Sequence, residues 1–154
     1  MKARTLRLVL AAAAFAFTLA ACSDDEAPAG HSQPETVTLV DVESGEVFND
    51  SFTLPAGSTT RIAIHFYDAD GQDITEELIE TGHQTALVFT PGTFASQADV
   101  TGAPFERDVT VDAAAGATAS LVVGYGHEDA TQEQFGSYEV TASESATAAR
   151  TAGR

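Results

Sequence analysis

The chain has one cysteine, Cys22, no tryptophan, and a single methionine, the initiator. A lone thiol closes no disulfide within the chain, so an apolar core has to hold the fold. Basic residues are also scarce: seven Lys and Arg stand against 23 Asp and Glu, a formal net charge of −16. A surface of that sign repels nucleic acid and anionic headgroups. It argues against DNA, RNA or peripheral membrane binding and suits cations, basic partners or plain solubility. Catalytic patterns are missing as well. There is no G-x-S-x-G nucleophile elbow, no Gly-rich phosphate loop and no H-E-x-x-H, so no motif points to an enzyme. Among so many acids, two carboxylates lying close together have no diagnostic weight for a glycosidase.

What is present begins at the N-terminus. Lys2, Arg4 and Arg7 precede an apolar stretch from about Leu8 to Ala21, which stops abruptly at Ser23-Asp24-Asp25-Glu26. That is the layout of a secretory signal, too short for a comfortable membrane span. The run Leu19-Ala20-Ala21-Cys22 resembles the lipobox of bacterial lipoproteins. The resemblance implies cleavage between Ala21 and Cys22, a diacylglycerol on the Cys22 thiol, and acylation (palmitate-type) of the new amino terminus. Each buried methylene adds about 0.8 kcal/mol, so a second chain turns marginal membrane binding into a durable anchor. No twin-arginine pair is present, which favours general secretion. Ser23, where an Asp would resemble an inner-membrane retention signal, resembles export to the outer membrane. The expected location is the cell envelope, on the periplasmic face of the outer membrane or at the cell surface.

After residues 1–21, the segment 22–35 is acidic, with Pro and Gly and no large apolar side chain. Such a composition cannot offset ordering entropy and reads as a flexible tether. Residues 143–154 are small and polar and read as a disordered tail. Between them, 36–142 is rich in short alternating runs. Arg61–Tyr67 is the clearest, with Ile62, Ile64 and Phe66 on one face and Arg61, Ala63, His65 and Tyr67 on the other. Thr36–Val42, Leu87–Phe89, Phe105–Val111, Ala119–Tyr125 and Ser137–Thr141 supply further β-type runs. Turn signals separate them at Pro55-Ala56-Gly57, Asp70-Gly71, Pro91-Gly92, Gly102-Ala103-Pro104, Ala115-Gly116 and Gly124 to Gly126. One weak helical segment covers Ile74–Glu80. Seven or eight strands at this spacing predict an all-β fold, a single antiparallel β-sandwich.

The run Leu54-Pro55-Ala56-Gly57-Ser58-Thr59-Thr60-Arg61-Ile62-Ala63-Ile64, followed by Asp68-Ala69-Asp70-Gly71, resembles the opening of bacterial immunoglobulin-like (Big) domains. Val111–Leu121 is similar to their glycine-led strand entry and Tyr138–Thr141 to their closing strand. The resemblance covers about residues 52–141 and implies an Ig-like fold at a surface location, with no catalytic residues. Glu76–His83 and Phe94–Phe105 depart from it as longer connections.

Two residue sets have metal-ligand chemistry. Asp68, Asp70 and Asp73, with Gly71 between them and Glu76 and Glu77 behind, offer hard oxygens and a tight bend suited to calcium. A hairpin turn needs the same residues for its backbone angles, and a calcium loop would place Phe66 where a carboxylate is required. His65, His83 and His127 offer neutral imidazoles for zinc or copper, with Glu128 or Asp129 adjacent. None of the three shows paired spacing, so a site requires the fold to gather distant positions. Blue-copper chemistry needs a thiolate that Cys22 does not offer once lipidated. Tyr67, Tyr125, Tyr138, Phe94 and Phe105 can line a sugar or peptide groove or fill the core. The expected function is a non-enzymatic binding or structural module held on the bilayer through Cys22 and meeting an envelope protein. The alternative is a periplasmic lipoprotein binding Ca, Zn or Cu.

Overall fold

Ile62, Ile64 and Phe66 are fully buried while their neighbours in the strand face outward, so period-two alternation sets the inner face of the central strand. The computed structural model describes residues 32–127, 130 and 132–145. In order, its elements are β1 (Thr36–Asp41), β2 (Ser51–Pro55), β3 (Thr59–Tyr67), α1 (Thr75–Glu80), β4 (Gln84–Thr90), β5 (Ala95–Val100), β6 (Ala103–Val111), β7 (Thr118–Gly126) and β8 (Glu133–Ser143). They form two four-stranded sheets, β1-β3-β6-β5 and β2-β8-β7-β4. The first sheet has the A-B-E-D order of an immunoglobulin-like sandwich and β8-β7-β4 the order G-F-C. The fold is an Ig-like all-β sandwich of eight strands.

One pairing departs from a purely antiparallel plan: β2 runs parallel to β8, with Ser51 opposite Glu139 and Pro55 opposite Ser143. The cause is that β1 and β2 run the same way along the sandwich, β1 beside β3 and β2 across on the other sheet. Two strands were not apparent in the sequence. β2 is short and buries only Leu54, and β5 buries none of its side chains, so neither shows the alternation that marks a half-buried strand. Residues 95–100 are therefore an edge strand paired with β6, which itself begins at Ala103, so only Thr101 and Gly102 connect the two.

The core fills the space between the sheets. Leu39 and Val109 from the first sheet meet Leu121, Val123 and Val140 from the second, all with no measurable exposure. Phe66 lies at its centre, with ring centroids 5.8 Å from Phe105, 5.1 Å from Tyr125 and 5.5 Å from Phe135. Helix α1 closes one end of the barrel-like space with the fully buried Leu78. The start of the helix is tied down on both sides: Asp73 Oδ1 accepts the Thr75 N–H at 2.9 Å, and the Thr75 hydroxyl accepts the Phe66 N–H of β3 at 2.9 Å. Gly136 is required where it sits. It has φ 66° in β8 beside a register shift against β7, and a Cβ there would lie 2.6 Å from the Tyr138 ring, which is the position of glycine in a β-bulge.

Phe66→Ala removes the aromatic hub and leaves a cavity between the sheets. The expected loss is about 3–5 kcal/mol of unfolding free energy by denaturant titration.

Candidate functional site

The topology gathers every candidate ligand residue at the α1 end of the sandwich, where β3 and β7 finish and β4 and β8 begin. They do not form one site there. His65 faces outward from β3 in the first sheet, and its Nδ1 lies 3.0 Å from Asp73 Oδ2. Asp68 is occupied by its own turn, its Oδ1 accepting the N–H groups of Asp70 and Gln72 at 2.9 Å each. The Asp68 backbone N–H donates to the Gln72 carbonyl and Gly71, at φ 76°, donates to the Asp68 carbonyl. Asp73 Oδ1 is engaged with Thr75. The acidic loop is therefore built as a turn, with its carboxylates serving local backbone donors. Among the described residues no three His, Cys, Asp or Glu side chains group closely enough to hold an ion.

His65, His83 and His127 likewise do not gather at one point. His65 belongs to the outer face of one sheet, whereas His83 and His127 flank the β4–β7 ladder of the other. These two do come together. Gln84 pairs with Gly126 at the end of that ladder, so the next position sets His83 opposite His127. Their ring centroids are 3.7 Å apart with planes tilted 35°. His83 is buried and stacks on Tyr125 as well, at 4.7 Å and 9°. Its Nδ1 is 2.9 Å from Thr81 Oγ1 and 3.2 Å from the Leu78 carbonyl oxygen. The Tyr125 hydroxyl is buried and has no hydrogen-bond partner among the described residues. Burial pushes its pKa up, and the Glu133 charge adds to that rise.

Beside His83 a cleft of about 360 Å³ is lined by Gln84, Thr85, Asp99, Gly102 and Arg107 among others. Arg107 is the residue that sequence reading passed over. It is 6% exposed, and its guanidinium donates to the carbonyls of Pro104 (2.7 Å), Glu106 (2.6 Å) and Thr85, and to Thr85 Oγ1 (3.1 Å). Asp99 Oδ1 lies 3.4 Å from its Nε. Burial lowers the Arg107 pKa and the Asp99 charge pulls it back. With its donors spent on backbone oxygens, this arginine secures the cleft wall and has little left to offer an anion. Gln97 does parallel work one step along, accepting the Leu87 N–H at 3.0 Å and donating to the Leu87 carbonyl at 2.9 Å. No signal in the sequence separates Arg107 or Gln97 from surface residues, because their partners are edge atoms of a strand in the other sheet.

The aromatic groove does not form. Tyr125, Tyr138, Phe94 and Phe105 are core residues. Cys22 and Ala21, together with Glu128 and Asp129, lie outside the described residues. No family model, curated protein or solved structure matches the chain.

Burial pushes the Asp73 carboxyl up, but its hydrogen bonds from Thr75 and its contact with His65 outweigh that and hold the pKa below the ordinary value. A depressed folded pKa contributes stability above the unfolded pKa of about 3.9 and loses it as pH falls through the folded value. The stability gap between the parent chain and Asp73→Ala is therefore expected to be constant near neutrality and to shrink below about pH 4, read from denaturation at each pH. Gln97→Ala leaves two edge groups of β4 unpaired. It is expected to cost about 1–3 kcal/mol and to increase self-association through that edge, measured by denaturation and sedimentation.

Proposed function

We propose that this chain is a lipid-anchored lipoprotein of the bacterial envelope whose Ig-like sandwich is a non-enzymatic binding or structural module of the Big type. The observation that carries the reading is electrostatic. Arg61 and Arg107 are the only Arg or Lys among the described residues, and both are engaged within the sandwich. Arg61 holds Asp108 in a two-point contact of 2.8 and 3.2 Å across the β3–β6 ladder, and Arg107 is buried. The surface left for partners is carboxylate, which suits a protein with a basic face. Edge strand β5, exposed along Ser96–Asp99, is a strand margin of the kind that partner chains extend.

The anchor and the domain are compatible in geometry. The Ser32 N–H donates to Glu77 Oε1 of α1 at 2.6 Å, so the chain enters the sandwich at the α1 end. An acylated Cys22 would draw that end toward the bilayer, at a distance bounded by roughly 3.3 Å per intervening residue. The far end and the β5 margin would remain open to the periplasm or the medium.

Fractionation tests the anchor. The parent chain is expected in the membrane fraction with incorporated palmitate, and Cys22→Ala in the soluble fraction without it; equal partitioning of the two would overturn the lipoprotein reading. Crosslinking in intact envelopes tests the module. Partner yield should fall steeply with added salt if carboxylates carry the contact, and salt-independent capture would speak against a basic partner.

A further inference from the structure

We infer that the cleft between α1 and strands β3 and β6 receives a basic side chain, lysine or arginine, of a partner polypeptide. Its aliphatic stem lies on the cleft floor and its cationic head between Glu76 and Glu106. The inference rests on the module reading above and names the place where a basic partner meets it. The floor follows from residue size. Ala63 stands directly opposite Glu106 in the β3–β6 ladder, and Ala103 opens β6, so only methyl groups occupy these two positions of the lining. With Ile79 and Pro104 they line a cleft of about 350 Å³.

The charge in the same lining is negative. Glu76 and Ile79 are one helical turn apart and share a face of α1, which puts a carboxylate beside the apolar wall. Glu76 enters no ion pair among the described residues. Glu106 comes from β6. Arg61 approaches it only at 4.0 Å, because Asp108 holds that arginine at 2.8 Å. His65, also in the lining, has its Nδ1 3.0 Å from Asp73 Oδ2. Two carboxylates beside an apolar floor match a side chain with its charge at the end of a hydrocarbon stem, as both lysine and arginine have. An anion is repelled there, and a bare metal ion gains nothing from the floor.

The occupant belongs to a different molecule. Arg61 and Arg107 are both engaged, so a second copy of the sandwich offers no open cation, and its net negative charge repels the first. The chain's own Arg150 and Arg154 follow β8. That strand ends at the opposite pole, where the Ser145 and Ser58 hydroxyls lie 3.5 Å apart, so both arginines start from the end remote from the cleft. A protein with a basic face supplies the missing charge, and its stem contacts the apolar floor that charge attraction alone does not use.

NMR of the purified full-length chain, titrated with N-acetyl-arginine amide and with N-acetyl-lysine amide, tests the cleft. With one or both probes the backbone amides of Ala63, Ile79 and Ala103 are expected to shift and saturate. N-acetyl-citrulline amide keeps the stem without the charge and ethanolamine the charge without the stem; both should bind more weakly. Glu76→Gln and Glu106→Gln should each weaken the basic probe by about threefold, and together remove it. No saturable shift at those amides, equal binding of either control, or undiminished binding by the double variant would overturn the site. Probe binding strengthened by Arg150→Gln with Arg154→Gln would give the cleft to the chain's own tail and overturn the partner. Crosslinking in intact envelopes separates the cleft from the module reading. Salt-sensitive capture that survives the double substitution overturns the cleft and leaves the module standing, whereas absence of salt-sensitive capture by the parent chain overturns the module and the partner with it.

Discussion

A sandwich of two open sheets leaves backbone donors and acceptors along its margins, and their satisfaction fixes how the sheets sit on one another. On one side β4 turns the Thr85 carbonyl and both polar groups of Leu87 away from β7, and the other sheet supplies Arg107 and Gln97 to meet them. On the other side β1 exposes the Val37 carbonyl, which accepts the Tyr138 hydroxyl from β8 at 3.1 Å. The Leu39 carbonyl accepts the Phe48 N–H from the β1–β2 connection. Side chains of each sheet thus finish the hydrogen bonding of the other. Hydrophobic burial presses the layers together without setting their alignment, whereas these directional contacts do set it. They also close strand edges that would otherwise template aggregation.

The same contacts shape the electrostatics. A buried guanidinium is tolerated only with its donors satisfied, and Arg107 achieves this with backbone oxygens plus Asp99 at the cleft mouth. Arg61 is consumed by Asp108 and, at 4.0 Å, Glu106. The architecture therefore withdraws Arg107 from the surface and pairs the exposed Arg61 with carboxylates. An acidic composition thereby becomes an acidic exterior, a stronger statement than net charge alone.

The candidate ligand residues concentrate at one end for a topological reason. In an Ig-like sandwich the β3–β4, β5–β6 and β7–β8 connections emerge together, and in this chain they contain the acidic helix, the Asp68 turn and the His83–His127 pair. The chain also arrives there, tied by Ser32 to Glu77. The acidic helix and the adjacent histidines thus lie at the same pole as the point where the chain enters, while the β5 margin runs along the flank.

Much of the fold is legible in the sequence because alternation is a local property. Ile62, Ile64 and Phe66 declare a half-buried strand, Asp68 and Gly71 a turn, and the Val- and Tyr-rich runs the remaining strands that have a buried face. The lack of disulfides and catalytic motifs is local information too, as is the lipobox-like run ending in Cys22. The edge strands β2 and β5 left little trace, since a strand that buries few side chains carries no pattern. The candidate site was half visible. Residue type singled out His65, His83 and His127, but only register sends the first to one sheet and joins the other two. Arg107 and Gln97 were invisible for the same reason: their roles depend on backbone atoms of a strand in the other sheet. What a residue is, and its neighbours at two and four positions, is written along the chain; what stands opposite it across a ladder, or behind it in the next layer, exists only once the sheets have paired and stacked.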